Sequence, residues 1–374
     1  MTIVGVLGAG QLGRMLALAG IPLGMRFRFL DPAPSPPAAA LGEHLRADWS
    51  HPGALEALAE HSDVVTYESE NIPIESVRRL ASRANVRPSA ESLRLTADRL
   101  AEKQFVAGLG IEVAPFSEVS DRAGLDTALR RLGVPALLKT RRGGYDGRGQ
   151  ARIDHLSQAD AAWQALAGAP AILEQRVVFQ RELAILAVRG LDGEKRVYPL
   201  VETHHEGGVL TRALAPSPDL SPSLQREAEA IASSLLEALG HVGILAIECF
   251  EINGRLVVNE LAPRVHNSGH WTIEGAATSQ FENHLRAITG LPLGSTEPRA
   301  LCGLFNLLGE IPPLAGVLAQ RETYLHVYGK TSRPGRKVGH VTVVASDRAM
   351  LDERMRHVST LISPQVHPIE RNPV

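Results

Sequence analysis

Short apolar runs alternate with stretches of helical spacing along the first hundred residues. The runs cover residues 2–7, 27–30 and 64–67. The first leads into the glycine turn Gly8-Ala9-Gly10-Gln11-Leu12-Gly13, and the second ends at Asp31. Strands that alternate with helices predict an open parallel sheet, which binds its ligands at the carboxyl ends of the strands.

Two further segments follow this region. Apolar runs at 136–139 and 171–174 predict strands on either side of a glycine-rich loop. Ser221 and Pro222 predict a helix start, and the helix presents one apolar face before Gly240 ends it. From about residue 298 the chain predicts a small strand-rich domain, with runs at 301–308, 324–328 and 341–345.

A β-hairpin is predicted where two apolar strands, 244–252 and 255–260, flank Asn253-Gly254. A strict two-residue turn would put Glu248 and Glu260 on opposite faces of the hairpin. A three-residue loop, or one bulge, would set the two carboxylates directly across from each other, and we predict this odd-length arrangement.

Two facing carboxylates on an apolar surface repel each other and are costly to desolvate. A divalent cation bound between Glu248 and Glu260 would relieve both costs, and oxygen ligands favour Mg²⁺. The alternative is that one glutamate is solvent-exposed and unrelated to the other.

The stretch from Lys139 to Gln150 holds four glycines at 143, 144, 147 and 149, with arginines at 141, 142 and 148. Glycines allow a close backbone approach, and guanidinium groups bind phosphate in a fork. This pattern indicates a loop that wraps a polyphosphate, and the alternative is a solvated basic turn.

Polar side chains are dense directly after the second strand of the hairpin. They are Arg264, His266, Asn267 and His270. This density is typical of a site for a small polar or anionic ligand, although a single histidine is more often structural.

The composition limits the partners of the chain. A net charge of −2 over 374 residues gives no bulk basic field for nucleic acid or an anionic membrane. Two cysteines are too few for a disulfide framework and fit a reducing cytoplasm. No apolar run approaches the roughly 18 residues that span a bilayer. We expect a cytoplasmic protein of two or three domains that binds neither nucleic acid nor membrane.

A nicotinamide dehydrogenase is one function that the N-terminal pattern allows. The glycine spacing fits the dinucleotide fingerprint, and Asp31 lies about where a ribose-binding acid would be. The same turn can hold any phosphate at a helix N-terminus, and this function leaves residues 139–270 without a role.

Several motifs together resemble an ATP-grasp ligase. They are Lys139, the loop 143–149, the run Glu174-Gln175-Arg176-Val177, Glu182 and the pair Glu248 and Glu260. More narrowly, four stretches are similar to the 5-(carboxyamino)imidazole ribonucleotide synthases of purine biosynthesis. These stretches are residues 8–14, 143–150, 259–271 and the C-terminal Tyr328-Gly329-Lys330 with Pro334-Gly335-Arg336-Lys337.

The resemblance implies a three-domain fold of the α/β and α+β classes. Residues 1–97 would form a Rossmann-like domain, 98–297 the ATP-grasp domain, and 298–374 a small strand-rich domain. ATP and bicarbonate would form carboxyphosphate with the help of Mg²⁺. The amine of aminoimidazole ribonucleotide would then take the carboxyl group, which releases ADP and phosphate. Relatives of this kind are commonly homodimers.

The resemblance also implies roles for individual residues. Catalysis would use Asp146, Arg264, His266 and Asn267, with Asp146 or His266 as the base, while Glu248 and Glu260 would hold the metal. The ribonucleotide would contact Gln11, Leu12, Glu68, Arg148, Lys330 and Arg336. ATP would contact Arg99, Lys139, Gly144, Tyr145, Asp146, Gly147, Arg148, Gly149, Gln150, Glu174, Gln175, Arg176, Val177, Glu182, His205, Asn259 and Glu260.

Other enzymes share parts of this plan. A formate-dependent glycinamide ribonucleotide transformylase has the same domain arrangement, and the run Asn267-Ser268-Gly269-His270-Trp271 argues against it. A biotin carboxylase is less favoured because the chain has no Met-Lys-Met carrier segment. A nucleotide sensor without catalytic activity stays open, and it would bind ATP without turnover.

Overall fold

The computed structural model of the chain describes residues 1–144 and 147–362. Its N-terminal segment has four strands and four helices. These are β1 (Ile3–Leu7), α1 (Gln11–Gly20), β2 (Arg26–Leu30), β3 (Glu43–Leu45), α2 (Pro52–Glu60), β4 (Val64–Tyr67), α3 (Ile74–Ala81) and α4 (Ala90–Thr96). The strands form one sheet in the order β3-β2-β1-β4, and every pair is parallel. The predicted open parallel sheet is confirmed.

The register of this sheet brings its carboxyl ends together. Leu7 at the end of β1 lies opposite Leu30 of β2 and Tyr67 of β4. The residues that follow these strands, among them Gly8, Asp31 and Glu68, therefore meet at one edge.

A second, antiparallel sheet has the order β5-β8-β6-β7. Strands β6 and β8 are those predicted on either side of the glycine-rich loop. This part of the chain comprises α5 (Arg99–Gly108), β5 (Phe116–Val119), α6 (Arg122–Leu132), β6 (Ala136–Thr140), β7 (Gln150–Ile153), α7 (Ala159–Ala165) and β8 (Ala171–Gln175).

The third sheet has nine strands, which come from the rest of the described chain. Its elements up to residue 289 are β9 (Arg181–Arg189), β10 (Lys195–Val197), β11 (Val201–Glu206), β12 (Val209–Ala215), α8 (Pro222–Ala238), β13 (Gly243–Ile252), β14 (Arg255–Ala262), α9 (Thr272–Gly275) and α10 (Gln280–Thr289). The last elements are β15 (Leu301–Leu308), α11 (Leu314–Leu318), β16 (Thr323–Val327), β17 (Lys337–Ala345) and α12 (Arg348–Ile362). Among these described helices none has the length and apolar content to cross a membrane.

The strands of the C-terminal segment continue the central sheet. The order is β14-β13-β9-β11-β12-β15-β17-β16, with β10 paired to β9. Strand β15 pairs with β12, and Arg212 lies opposite Phe305. The same sheet therefore carries β15 and the loop after β16 as well as the hairpin β13–β14, which holds Glu248 and Glu260.

The hairpin β13–β14 reaches the predicted pairing through a bulge. Asn253 and Gly254 both have positive φ, 51° and 73°, and Ile252 lies opposite Arg255 across this two-residue turn. The register then shifts by one at Asn259, so that Glu248 lies opposite Glu260. The bulge, and not a longer turn, sets the two carboxylates across from each other.

Two buried histidines link the N-terminal segment to the central sheet. His284 of α10 accepts from the backbone N–H of Ile244 at 3.1 Å, and its Nε2 lies 2.9 Å from Thr66 Oγ1. His241 bonds the Ile244 carbonyl through Nε2 at 2.9 Å and lies 3.2 Å from Ser92 Oγ. Burial lowers the pKa of His284 to about 3 and that of His241 to about 4. Both imidazoles are therefore neutral at neutral pH.

These histidines predict a loss of stability in mild acid. The unfolded chain takes up a proton on His241 near its ordinary pKa of 6.5, whereas the folded chain does so only near 4. The histidine's contribution is complete above about pH 6.5 and is lost as the pH falls toward 4. We expect the free energy of unfolding of His241→Gln, followed by urea titration, to depend less on pH in this window. The difference should approach about 1.4 kcal/mol per pH unit.

His357→Gln is the matched control, since His357 lies exposed on α12. This variant should keep the pH dependence of the wild type. Identical slopes for His241→Gln and the wild type would contradict the burial argument.

Candidate active site

The glycine turn after β1 holds the side chain of Glu68. The Glu68 carboxylate accepts from the backbone N–H of Gly10 and, at 2.6 Å, from that of Gly13. A Cβ atom at Gly8 would lie 2.5 Å from Glu68 Cγ, so a side chain there would displace the carboxylate. Burial raises the pKa of Glu68, and the two N–H groups offset part of that effect.

This arrangement contradicts the dinucleotide interpretation of the turn. At the N-terminus of α1, Glu68 takes the N–H groups of Gly10 and Gly13, which the pyrophosphate of a dinucleotide would need. Asp31 accepts from the N–H groups of Ala9, at 2.9 Å, and Ala33, at 2.8 Å. Asp31 therefore shapes the turn and does not present a free carboxylate to a ribose.

Residues of the first and last segments meet beside Glu68. Lys330 donates from Nζ to the side-chain oxygen of Gln11. Leu12, next to Gln11 in α1, is buried, and Arg336 bonds the carbonyl of Thr331 in the same loop as Lys330 at 3.2 Å. Gln11 and Lys330, which are predicted to contact the ribonucleotide, thus lie close together although they come from the first and last segments.

The glycine-rich loop is held at its base by charged residues of α5. Arg99 donates to the carbonyls of Thr140, at 2.9 Å, and Gly144, at 2.8 Å. Asp98 accepts from Arg141 at 2.9 Å and from Arg142 at 3.1 Å. These two arginines, which the sequence predicts to bind a polyphosphate, anchor the loop to Asp98 in this structure.

The same loop crosses the cleft toward the β11–β12 turn. Gly147 has φ +77°, and a Cβ atom there would lie 2.4 Å from the Gly207 carbonyl. Gly149 accepts from the N–H of Thr140 at 2.8 Å, while Arg148 is exposed and Gln150 begins β7. Tyr145 and Asp146 lie outside the described residues.

A buried charge cluster lies beneath the loop. Lys139 and Lys103 lie 2.9 Å and 3.8 Å from the same oxygen of Glu174, whose other oxygen is buried without a hydrogen-bond partner in the described part of the chain. Burial alone would raise the pKa of Glu174, but the two lysines outweigh it and lower the pKa. We name Lys103, Lys139 and Glu174 the charge cluster.

The two residues that follow Glu174 are exposed. Gln175 closes β8, and the N–H of Arg176 donates to the Pro135 carbonyl at 3.0 Å, while Val177 is half-buried. The unpartnered oxygen of Glu174 is an acceptor that suits an exocyclic amine.

The paired glutamates face two histidines. Glu248 Oε1 lies 3.6 Å from His266 Nε2 and 3.9 Å from His205 Nε2, and His205 bonds Glu182 at 2.7 Å through Nδ1. Burial opposes protonation of His205, but Glu182 and Glu248 outweigh it and raise its pKa. Burial, with Arg264 nearby, instead lowers the pKa of His266 well below the usual range. His205 therefore holds a proton more readily than His266 does.

The donor set at the hairpin fits a hard divalent cation. Burial raises the pKa of Glu248, and Glu260 adds to that effect, as expected for two carboxylates that share a site. Glu260 is exposed to the cleft, and Asn259, at the bulge, lines a small cavity with Glu182 and His205. The described residues contain no cluster of three or more His, Cys, Asp or Glu that could enclose a metal. Mg²⁺ would therefore take its other ligands from substrate phosphates and water.

Each polar residue after β14 is held by a partner from elsewhere in the chain. Arg264 forms a bidentate ion pair with Glu70 at 2.8 Å and 2.9 Å. The His266 backbone is bonded on both sides by the Gln280 amide, and Asn267 pairs with Asn306 at 2.9 Å. His270, predicted in the same cluster, is fully buried and packs against His340, with ring centroids 4.8 Å apart and ring planes at 40°, so it does not face the cleft.

Sequence reasoning missed several residues that shape this site. Glu102 of α5 is buried, accepts from the N–H of Leu261 at 3.0 Å, and has its pKa raised by burial and by Glu260. The others are Asp98, Lys103, Glu70, Gln280 and Asn306. An acidic and a basic residue side by side in the apolar face of α5 could have indicated Glu102 and Lys103. Asn306 lies in an apolar strand that gives no such indication.

Three family models match successive parts of the chain. A ribonucleotide synthetase preATP-grasp domain matches residues 1–97, an ATP-grasp domain residues 104–281, and a phosphoribosylaminoimidazole carboxylase C-terminal domain residues 302–354. The N5-carboxyaminoimidazole ribonucleotide synthase of Pseudomonas aeruginosa is 50% identical over 359 residues, which cover 96% of this chain and 99% of that protein.

Solved structures resemble the whole fold. The N5-carboxyaminoimidazole ribonucleotide synthetase of Thermus thermophilus is 51% identical, with a TM-score of 0.94 over 98% of this chain and 100% of the other. The N5-carboxyaminoimidazole synthase of Aspergillus clavatus, solved with ADP and 5-aminoimidazole ribonucleotide, is 32% identical with a TM-score of 0.89, covering 96% and 97%.

The charge cluster predicts a large cost when its carboxylate is neutralised. Glu174→Gln leaves Lys103 and Lys139 buried beside an uncharged amide, so it should lower the free energy of unfolding by about 3 kcal/mol. Adding Lys103→Met should recover part of this loss, because it removes one of the unpaired charges. Denaturant unfolding measures both changes.

Glu91→Gln is the control for loss of a carboxylate from an ion pair. Glu91 and Arg94 form an exposed pair on α4, with side chains 56% and 37% exposed. Its loss should cost less than about 1 kcal/mol. Equal costs at the two sites would contradict the importance of burial.

Proposed function

The chain belongs to the N5-carboxyaminoimidazole ribonucleotide synthase family of ATP-grasp ligases, and we propose that it carboxylates aminoimidazole ribonucleotide. ATP and bicarbonate give carboxyphosphate, and the exocyclic amine of the ribonucleotide takes the carboxyl group. The products are N5-carboxyaminoimidazole ribonucleotide, ADP and phosphate. The observation that carries the proposal is the pairing of Glu248 with Glu260 beside the Arg264–Asn267 turn, facing a cleft crossed by the glycine-rich loop.

ATP binds between the second and third sheets in this proposal. Lys139 and Arg99 hold its phosphates under the loop of Gly144, Gly147, Arg148, Gly149 and Gln150, with Tyr145 and Asp146. The unpartnered oxygen of Glu174 accepts from the adenine amine, beside Gln175, Arg176 and Val177. Glu182, supported by His205, bonds the ribose.

Glu248 and Glu260 hold Mg²⁺, with Asn259 beside them. The cation neutralises charge on the phosphates during transfer. Bicarbonate lies against Arg264 and Asn267, which stabilise the charge that develops on its oxygens. Carboxyphosphate reacts with water, so the loop that crosses the cleft protects it by excluding solvent.

The ribonucleotide binds at the edge of the N-terminal sheet. Its phosphate contacts the backbone of Gln11 and Leu12, together with Lys330, Arg336 and Arg148. Glu68 lies near the ribose or amine. Asp146 is the first candidate to take the amine proton, and His266 is the second.

We also infer the domain boundaries, the oligomeric state and the cellular compartment. The three segments act as domains with boundaries near residues 97 and 297, and the active enzyme is a homodimer. The two cysteines, Cys249 and Cys302, are buried and unpaired, which suits a reducing cytoplasm.

The decisive measurement is phosphate release from ATP and Mg²⁺ by the purified protein. Release should require aminoimidazole ribonucleotide and rise with bicarbonate. Release that instead requires formate and glycinamide ribonucleotide would favour the transformylase. ATP binding without release in either mixture would favour a nucleotide sensor.

Glu260→Gln should abolish most Mg²⁺-dependent turnover. We expect kcat/KM to fall by on the order of a hundredfold or more, because one of two charged ligands is lost. The fold should persist, since the substitution removes repulsion with Glu248. Steady-state kinetics across Mg²⁺ concentrations and a thermal unfolding scan measure the two effects.

Glu227→Gln is the control, because Glu227 pairs with Arg255 at the far end of the same hairpin, 2.9 Å away. It should leave the Mg²⁺ dependence unchanged. Near-normal activity of Glu260→Gln would remove the metal assignment.

A further inference from the structure

The side-chain amide of Asn267 is paired in both directions with that of Asn306. Asn267 Nδ2 donates to Asn306 Oδ1 at 2.9 Å, and Asn306 Nδ2 donates back to Asn267 Oδ1. Asn306 Nδ2 also donates to the Leu210 carbonyl at 2.8 Å. Asn267 is 8% exposed and Asn306 5% exposed, so water has little access to either amide.

The Leu210 carbonyl sets the orientation of both amides. The two ends of an asparagine amide have nearly the same shape, but one donates and the other accepts. A backbone carbonyl can only accept, so Asn306 must turn its Nδ2 toward Leu210. The Oδ1 of Asn306 is then the acceptor for Asn267, and Asn267 must turn its own Nδ2 toward it.

This orientation leaves Asn267 with one unused hydrogen-bonding donor. Its Oδ1 accepts from Asn306, and one N–H of Nδ2 is taken by Asn306. Nothing else in residues 1–144 and 147–362 accepts from the second N–H. The Oδ1 atom keeps a second lone pair, which an anion cannot use, so the group that Asn267 can offer to an anionic ligand is this N–H.

We propose that Asn306 is a positioning residue that fixes the Asn267 amide, so that Asn267 offers an N–H to the anionic substrate. This inference rests on the proposed function, in which Asn267 contacts bicarbonate. A flipped amide would turn a carbonyl oxygen toward an anion and repel it. A donor that is already oriented needs no rearrangement as charge develops on the bicarbonate oxygens.

A purely structural role for Asn306 makes a different prediction. Asn306 lies in β15 opposite His340 of β17, within the central sheet. If it only supported the sheet, its loss would weaken the binding of all substrates together. Because Asn306 acts through Asn267, its loss instead affects the bicarbonate step and leaves ATP binding intact.

The test is a double-mutant cycle with Asn306→Ala, Asn267→Ala and the combined variant. We expect Asn306→Ala to lower kcat/KM for bicarbonate by about tenfold to a hundredfold, the size of a lost hydrogen bond to a charged group. The KM for ATP should change by less than about twofold. The combined variant should be no worse than Asn267→Ala, because Asn306 has no other route to the substrate.

Thr342→Val is the matched control. Thr342 is fully buried in β17 opposite Leu304, two residues from Asn306 along β15, and its hydroxyl has no partner among the described residues. This variant should keep wild-type kinetics for all three substrates.

Two results would overturn the inference while the proposed function stands. One is losses that multiply in the combined variant, and the other is an equal rise of KM for ATP and bicarbonate in Asn306→Ala. A wild-type protein without ribonucleotide-dependent phosphate release would instead overturn the proposed function. In that case the same double-mutant cycle is measured on the free energy of unfolding. Strictly additive losses in that cycle would overturn the pairing of Asn267 with Asn306.

Discussion

Buried charge at the junction of α5, β6 and β8 is the constraint on which the rest of the site depends. Two lysines in the interior are tolerated only because Glu174 lies between them. Lys103 also donates to the Val258 carbonyl at 3.3 Å, and so ties α5 to the strand that carries Glu260. The position of the hairpin that carries Glu248 and Glu260, relative to Lys139, therefore follows from a charge balance that a small displacement would break.

The same helix connects this charge balance to the loop that covers the cleft. Asp98 caps the N-terminus of α5 and holds Arg141 and Arg142, while Arg99 bonds the loop carbonyls directly. Glu102, one turn further on, fixes the backbone after Glu260. A single ten-residue helix thus positions the glycine-rich loop, the two lysines beside Glu174 and the carboxylate pair. The spacing of its residues, three to four apart, brings these groups to one face.

The parts of the site that sequence could predict are those set by local periodicity. Alternation along β13 and β14, with one bulge, determined the pairing of Glu248 with Glu260, and the runs around Gly143 marked two neighbouring strands. The glycine turn predicted an anion at the start of a helix, and in the structure its Gly10 and Gly13 N–H groups bind the side chain of Glu68, fifty-five residues beyond Gly13. Glu70, Gln280 and Asn306 were missed for a related reason: each acts on a partner distant in the chain, which its own neighbours do not reveal.

These distant partners explain why the site belongs to the whole chain and not to one segment. Arg264, His266 and Asn267 are consecutive or nearly so, yet their partners come from the N-terminal sheet, from α10 and from β15. The four-residue turn 264–267, with this many polar groups, would have many conformations of similar energy on its own. Each partner excludes some of these conformations. Asn306 can contact Asn267 only because β15 continues the central sheet beside β12. The arrangement of Arg264, His266 and Asn267 therefore depends on contacts with all three segments of the chain.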